Sequence, residues 1–218
     1  GAIDRIFPPI AGPGDRFSGF ISATGSAGTI NAGDFLRTRH PSLRVAAVEA
    51  LQCPTLLSCG FGGHAIEGIG DKHVPWIHNV RNTDVVIAVD DARCLDLARL
   101  FNDAAGRQRL AREGVPGALI DQLPQLGISG ICNLVAAIQT ARFFEMDRRD
   151  VLFIPLTDSM DLYRSRLAEL DHERGPLDAD AALRTFARHL EGIGTDHMRE
   201  LSYRDRKALH NLKYFTWV

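Results

Sequence analysis

The stretch Phe17–Asn31, FSGFISATGSAGTIN, combines an apolar strand with a glycine turn and the start of a helix. The apolar residues predict a buried β-strand over Phe17–Ala23. The turn Gly25–Gly28 contains only small residues, so its backbone can bend tightly and expose several consecutive N–H groups. A helix that begins near Thr29 would add the positive end of its dipole. The stretch therefore predicts a phosphate-type anion site at the carboxyl end of a strand.

Three further apolar runs predict strands of a shared sheet, and helical patterns separate them along the chain. Continuous apolar runs of this kind are typical of parallel strands that are buried on both faces. The alternation of strands and helices indicates an α/β fold with a mainly parallel, twisted sheet flanked by helices. The runs are Leu43–Ala50, Thr83–Asp90 and Val151–Pro155.

Charge and composition argue against several classes of protein. The formal net charge of the 218 residues is −2, with acidic and basic residues interspersed, so the sequence favours neither nucleic acid nor a membrane surface as a partner. It contains no apolar span of bilayer length and no signal-peptide pattern, which predicts a cytoplasmic protein. The four cysteines and eight histidines have no metal-ligand spacing, which predicts reduced, mostly buried thiols and no metal site.

Four short segments fall at predicted strand ends or helix starts. The carboxyl ends of parallel strands lie along one edge of a sheet, so we expect these segments to converge on one ligand. The second and third contain glycines that allow close backbone approach, and the fourth offers hydroxyl groups and a carboxylate. The segments are Gly25–Thr29, Gly68–Gly70, Gly127–Gly130 and Pro155–Ser159.

Two other functions are compatible with parts of this pattern. In an NAD(P)-binding Rossmann-type domain, Glu49 would stand at the end of the second strand, where an acidic residue binds ribose hydroxyls. However, Ala23 occupies the place of the first glycine of the dinucleotide fingerprint. A non-catalytic module that binds a small anion would also suit a chain in which no nucleophile and base can be paired from spacing.

In order and separation, the four segments resemble the C-terminal part of the fold-type II pyridoxal-phosphate (PLP) enzymes. This family includes the tryptophan synthase β, cysteine synthase and cystathionine β-synthase group. Gly25–Thr29 resembles the family's GTGGT phosphate loop, and His64–Gly70 is similar to its HxIxGIG segment. Gly127–Gly130 looks like a shortened GISSG, and Ile154–Thr157 resembles the strand end that presents a hydroxyl to the pyridine nitrogen.

The resemblance implies a role for each segment. The turn would hold the cofactor phosphate, Thr157 would bind the pyridine nitrogen with Ser159 as the alternative, and one glycine loop would close over the substrate. A neutral hydroxyl at the nitrogen directs the chemistry towards β-elimination and β-replacement. The implied cofactor residues are Gly25, Ser26, Ala27, Gly28, Thr29, Thr157 and Ser159; the loop is Gly68, Ile69 and Gly70; Gly127 and Ser129 support the site.

The resemblance also implies that a part of the enzyme is missing from the N-terminal side. The family's Schiff-base lysine precedes its phosphate loop, whereas residues 1–16 contain no lysine, so we expect no catalytic residue in this chain and no activity from it alone. The implied partners are a serine- or cysteine-derived amino acid, the N-terminal part of the enzyme, and a second copy in a homodimer. We divide the chain into an irregular segment 1–16, a cofactor-binding domain 17–170 and C-terminal helices 171–218 that pack on it.

Overall fold

A five-stranded sheet forms the centre of the structure, a computed structural model that describes residues 5–7 and 11–217. The strand order is β4-β1-β2-β3-β5. The first four strands are parallel, and β5 pairs antiparallel with β3. The sheet confirms the predicted α/β class. The strands are β1 (Arg16–Ala23), β2 (Arg44–Ala50), β3 (Val85–Val89), β4 (Asp150–Phe153) and β5 (Met198–Glu200).

Helices cover both faces of this sheet. Nine α-helices are described, and short 3₁₀ turns precede β3, α6 and α7. A π-helical turn over Ala187–Glu191 continues α8. The α-helices are α1 (Ala32–Arg39), α2 (Thr55–Ser58), α3 (Asp91–Asn102), α4 (Ala104–Arg112), α5 (Gly117–Ile120), α6 (Ile128–Phe143), α7 (Arg164–Arg174), α8 (Ala179–Phe186) and α9 (Tyr203–Trp217).

Side chains alternate between two cores on opposite faces of the sheet, as the pleat of a strand requires. In β2, Ala46 and Val48 contribute to the larger core, which also contains apolar residues of α3 and α6. Val45 and Ala47 contribute to the second core, together with residues of α1 and α9. Burial on both faces explains why β2 is a continuous apolar run rather than an alternating one.

The observed strands begin or end within about two residues of the predicted runs, and two differences are larger. Helix α1 begins at Ala32 rather than near Thr29, because residues 28–31 form hydrogen-bonded turns first. Strand β5 was not predicted, because three residues with largely exposed side chains carry no apolar pattern. In the segment 1–16, predicted to be irregular, residues 5–7 are helical. Residues 1–4 and 8–10 lie outside the described residues, and the domain division remains a prediction.

Two findings concern thiols and membranes. The four cysteines are free, and only Cys59 is exposed, which confirms the prediction of reduced and mostly buried thiols. Among the described residues, no helix is both long enough and apolar enough to span a bilayer.

Candidate functional site

The glycine turn after β1 presents a row of unpaired backbone donors. Within the described part of the chain, none of the six consecutive N–H groups from Gly25 to Ile30 donates a hydrogen bond. The pairing resumes at Asn31, whose N–H donates to the Ala27 carbonyl at 3.4 Å. Three of these residues are buried or half-buried and three are exposed. Consecutive N–H groups left free in a turn form an anion-binding concavity, so the run indicates a place for an external acceptor.

Left-handed backbone geometry at Ala27 shapes this turn. Its φ is +65°, although alanine carries a Cβ that disfavours this region. Ala27 is also almost fully buried, so its methyl group packs in the second core while its backbone faces the turn. The turn therefore keeps a glycine-like conformation that the residue itself does not favour.

The predicted segments line one cavity at the carboxyl edge of the sheet. The cavity brings together the glycine turn, the loop before β3, the start of α6 and the chain after β4. This arrangement agrees with the expected convergence of the four segments. Its lining residues are Ala23, Gly25, Ser26, Ala27, Gly28, Thr29, Gly68, Ile69, Ser129, Asn133, Pro155 and Thr157.

The loop Gly68–Gly70 packs directly against the glycine turn. The Gly70 N–H donates to the Thr24 carbonyl at 2.7 Å. A Cβ on Gly25 would lie 3.7 Å from the Gly68 carbonyl oxygen, so the two backbones are in van der Waals contact. Gly70 has φ +83°, and a Cβ there would lie 2.5 Å from Nε2 of His64. The positive φ favours glycine at position 70, and a larger residue would also have to displace the His64 ring.

Thr157 and Ser129 form a hydroxyl pair at the far side of the cavity from the loop's backbone contacts. Their Oγ1 and Oγ atoms are 3.0 Å apart, and either can donate. Ser159, the alternative to Thr157, does not line this cavity. It precedes the 3₁₀ turn Met160–Tyr163 and makes no side-chain capping bond. The geometry thus favours Thr157 over Ser159 as a ligand-binding hydroxyl.

Asn133 holds two sides of the cavity together, and the sequence analysis did not identify it. Its Oδ1 accepts from the Ala23 N–H at 2.7 Å, and its Nδ2 donates to the Pro155 carbonyl at 3.0 Å. The side chain is 2% exposed. An amide among the mostly apolar residues at the start of α6 was the available signal, because a buried amide needs partners on neighbouring elements.

Gly127 allows close contact between the start of α6 and the chain after β4. A Cβ on Gly127 would lie 1.9 Å from Oδ1 of Asp158. The other carboxylate oxygen of Asp158 accepts from the Tyr163 hydroxyl at 2.6 Å. Burial and the Asp158 carboxylate raise the pKa of Tyr163, so this hydroxyl remains protonated and keeps donating. Gly127 is therefore a packing residue behind Thr157, in line with its predicted supporting position.

Glu49 does not face a ribose-type ligand. Its carboxylate accepts from the N–H groups of Leu56 and Leu57 at 2.9 and 2.8 Å, at the start of α2. The side chain is 2% exposed. The position that a dinucleotide fold would use for its cofactor is here occupied by an internal helix cap, which argues against the Rossmann alternative.

Burial gives Glu49 an effect on stability that depends on pH. Desolvation raises its pKa from 4.5 to about 7, although the two N–H groups act in the opposite direction. The folded state therefore binds more protons than the unfolded state between these values, and stability falls as the pH rises through this window. Measured by urea unfolding, the free energy of unfolding should fall by about 2–3 kcal/mol between about pH 4.5 and 8 from this group.

Glu49→Gln should remove that dependence, because the amide does not titrate. Glu173→Gln is the matched control, since Glu173 is exposed and should keep the pH profile of the unaltered chain. An equal slope in Glu49→Gln and in the unaltered chain would contradict the assignment. The comparison uses slopes because the amide also changes the helix cap itself.

Comparisons with known proteins agree on one group of enzymes. No protein-family model matches the chain. It is 29% identical over 147 residues to cysteine synthase B of Campylobacter jejuni, and this match covers 67% of this chain and 42% of that protein. It is 26% identical over 143 residues to cysteine synthase of Staphylococcus aureus, covering 65% of this chain and 41% of that protein.

Solved structures show the same fold. O-acetylserine sulfhydrylase (cysteine synthase) from Entamoeba histolytica superposes with a TM-score of 0.61 at 18% identity, covering 81% of this chain and 46% of that one. A hydrogen sulfide-producing enzyme from Fusobacterium nucleatum gives 0.58 at 21% identity, covering 84% and 48%. The chain thus spans less than half the length of these relatives.

Proposed function

We propose that the chain forms the phosphate-binding side of a cysteine synthase-like active site. The relatives support the fold-type II PLP enzymes as the family for the matched part of the chain. The enzyme would carry out β-elimination or β-replacement on a serine- or cysteine-derived amino acid. The observation that carries the proposal is the row of unpaired N–H groups, of which the five from Gly25 to Thr29 line one cavity with the Thr157–Ser129 hydroxyl pair.

The residues present fit PLP. The N–H groups of the glycine turn, which begins at Gly25, would donate hydrogen bonds to the phosphate oxygens. The side chains of the exposed residues Ser26 and Thr29 offer hydroxyl groups beside them. Thr157 would bind the pyridine nitrogen as a neutral hydroxyl. When bound, PLP supplies an electron sink for negative charge that develops at the substrate's α-carbon.

The chain's own residues would orient the cofactor and exclude water. Ser129 would orient the Thr157 hydroxyl through their mutual hydrogen bond, leaving one lone pair or proton of Thr157 for the ring nitrogen. Asn133 would fix the distance between the phosphate turn and Thr157 by linking Ala23 to Pro155. The loop Gly68–Gly70 would cover the bound substrate from the side of the turn.

We further propose that the lysine that binds the cofactor comes from outside these 218 residues. The chain has three lysines, Lys72, Lys207 and Lys213, and none lines the cavity. The Lys213 ammonium is held by the carbonyls of Trp76 and His78. On this basis the chain alone should not complete the reaction, and the intact enzyme would act as a homodimer in the cytoplasm.

The assignment of the glycine turn Gly25–Gly28 as a phosphate site, the phosphate turn, can be tested with Ser26→Asp. The new carboxylate would approach the unpaired N–H groups and repel a phosphate, so the affinity for a phosphorylated ligand should fall at least about tenfold, or 1.4 kcal/mol. Pyridoxamine 5′-phosphate is the probe, because it has no aldehyde to react with surface lysines. Equilibrium dialysis measures its dissociation constant, and urea unfolding should show no loss of stability.

Ser42→Asp is the matched control, since Ser42 is an exposed serine that does not line the cavity. It should bind the probe as the unaltered chain does. Unchanged affinity in Ser26→Asp would refute the phosphate turn. The enzymatic part of the proposal is tested by supplying the rest of the enzyme and measuring cysteine formation from O-acetylserine and sulfide. The proposal would be refuted by a preparation that holds PLP but forms no cysteine from O-acetylserine and sulfide and releases no sulfide from cysteine.

A further inference from the structure

A second cavity lies apart from the PLP site, between the segment Trp76–Arg81 and helix α9. Its volume is about 740 Å³, within the range of sites that hold a small organic molecule. Two hydrogen bonds anchor the segment to α1 and to the residue before it. Asn31, which precedes the helix, donates to the Ile77 carbonyl at 3.0 Å, and Asn79 donates to Asp34 in the helix at 2.9 Å. The groove is therefore a built feature of the described structure rather than a gap beside a free loop.

The lining of this groove is cationic. It contains no aspartate or glutamate. Arg206 is paired, because it donates to Asp84 at 3.0 Å, a carboxylate that it shares with Arg37. Among the described residues, no salt bridge compensates Arg81, Lys207 or Lys213. The basic lining residues are Arg81, Arg206, Lys207, His210 and Lys213.

Lys213 is the decisive residue, because it is buried without a counter-ion. It is 5% exposed, and its Nζ donates to the carbonyls of Trp76 and His78. An ammonium group has three donors, so one remains. Burial lowers the pKa of Lys213, because a buried ammonium without a counter-ion is costly. His78 beside it stays neutral, because burial and Lys213 lower its pKa to about 4, and its Nδ1 has no hydrogen-bond partner in the described structure.

Aromatic side chains supply the other half of the groove. Trp76 and Tyr203 line it with 50% and 80% of their surface exposed. Tyr214 packs edge-on against Trp76, with 5.3 Å between ring centroids. Exposed aromatic rings beside unpaired cations suit a ligand that has a planar body and an anionic group.

We propose that this groove binds an aromatic phosphate monoester of nucleotide size, with the phosphate near Lys213 and Lys207 and the planar body against Trp76 and Tyr203. A monoester carries close to two negative charges at neutral pH, which matches the uncompensated cations. The proposal is independent of the PLP site, whose lining shares no residue with this groove.

The two tryptophans of the chain provide the readout. Trp76 lines the groove, and Trp217 stacks near it with 6.5 Å between ring centroids. Adenosine 5′-monophosphate should therefore change the tryptophan emission of the full chain in a saturable way. Uncharged adenosine should bind at least about tenfold more weakly, because it lacks the charge that Lys213 would compensate.

Variants separate the two phosphate sites. Pyridoxamine phosphate is itself an aromatic phosphate monoester, so its binding to the phosphate turn is compared in the Lys213→Met background, in which the groove is weakened. Lys213→Met should raise the dissociation constant at least about tenfold, and Tyr203→Ala, a rim change that leaves the carbonyl contacts of Lys213 intact, about fivefold. Lys72→Gln, which removes an exposed lysine outside the groove, and Ser26→Asp should leave it unchanged. No saturable signal up to about 5 mM nucleotide would overturn the proposal. Loss of the nucleotide signal in Ser26→Asp would also overturn it, because the nucleotide would then bind at the other site. A dimer of the chain that dissociates on Tyr203→Ala would overturn it as well, because the groove would then be a contact between two copies.

Discussion

Gly127→Ala is expected to lower the free energy of unfolding by about 4 kcal/mol, combining overpacking with the loss of a buried hydrogen bond. The added Cβ would lie 1.9 Å from Oδ1 and 2.7 Å from Cγ of Asp158. The Tyr163 hydroxyl donates a hydrogen bond to Asp158 at 2.6 Å. Displacement of the Asp158 carboxylate would break this bond. Urea unfolding of the variant and of the unaltered chain measures the difference.

The same substitution should weaken ligand binding at the neighbouring residue. Asp158 directly follows Thr157, and the Gly127 N–H donates to the Asp158 carbonyl at 3.1 Å. Displacement of Asp158 would therefore shift the hydroxyl that we assign to the pyridine nitrogen. Pyridoxamine phosphate should bind at least about tenfold more weakly to Gly127→Ala under conditions in which the variant is folded.

Two further variants show whether the collision is the cause. Gly117→Ala makes the same chemical change at a position with open space and should cost less than about 1 kcal/mol. Asp158→Gly combined with Gly127→Ala should recover part of the lost stability, because the collision with the carboxylate is then absent and only the 3.2 Å contact with the Asp158 backbone carbon remains. Equal losses for Gly127→Ala and Gly117→Ala would contradict this account.

The sequence was sufficient to predict the central sheet and the convergence of four segments. Strands β1, β2 and β3 are buried on both faces, so their apolar runs are long enough to be distinguished from helix patterns. The convergence follows from topology alone, because the carboxyl ends of parallel strands share one edge. The family resemblance then gave a consistent role to glycines that are each weak signals.

Other features depend on contacts between distant residues and could not be predicted. The role of Glu49 was ambiguous, since a strand-end carboxylate can bind a ribose or cap a helix, and only the position of α2 decides between them. Strand β5 is a short edge strand whose pairing with β3 is set by the tertiary structure. Thr157 and Ser159 differ by two residues, and the 3₁₀ turn that follows decides which one faces the cavity.

Asn133→Leu is expected to lower the free energy of unfolding by about 2 kcal/mol, because it leaves two half-buried backbone groups without their partner at about 1 kcal/mol each, the low end of the range for buried groups. Leucine has nearly the shape of asparagine, so the change removes hydrogen bonds without opening a large cavity. The groups affected are the Ala23 N–H and the Pro155 carbonyl. Urea unfolding gives the loss of stability.

This variant also tests whether α6 positions the site. Ala23 lies two residues before the phosphate turn begins, and Pro155 lies two residues before Thr157, so loss of both bonds would loosen the spacing between them. Binding of pyridoxamine phosphate should weaken at least about tenfold in the folded variant. The control is Asn102→Leu, because the Asn102 amide donates to the Ala98 carbonyl within its own helix. If the two asparagine variants lose equal stability and both retain binding, the linkage between the two sides of the cavity does not depend on Asn133, and the backbone of the sheet itself must set the spacing.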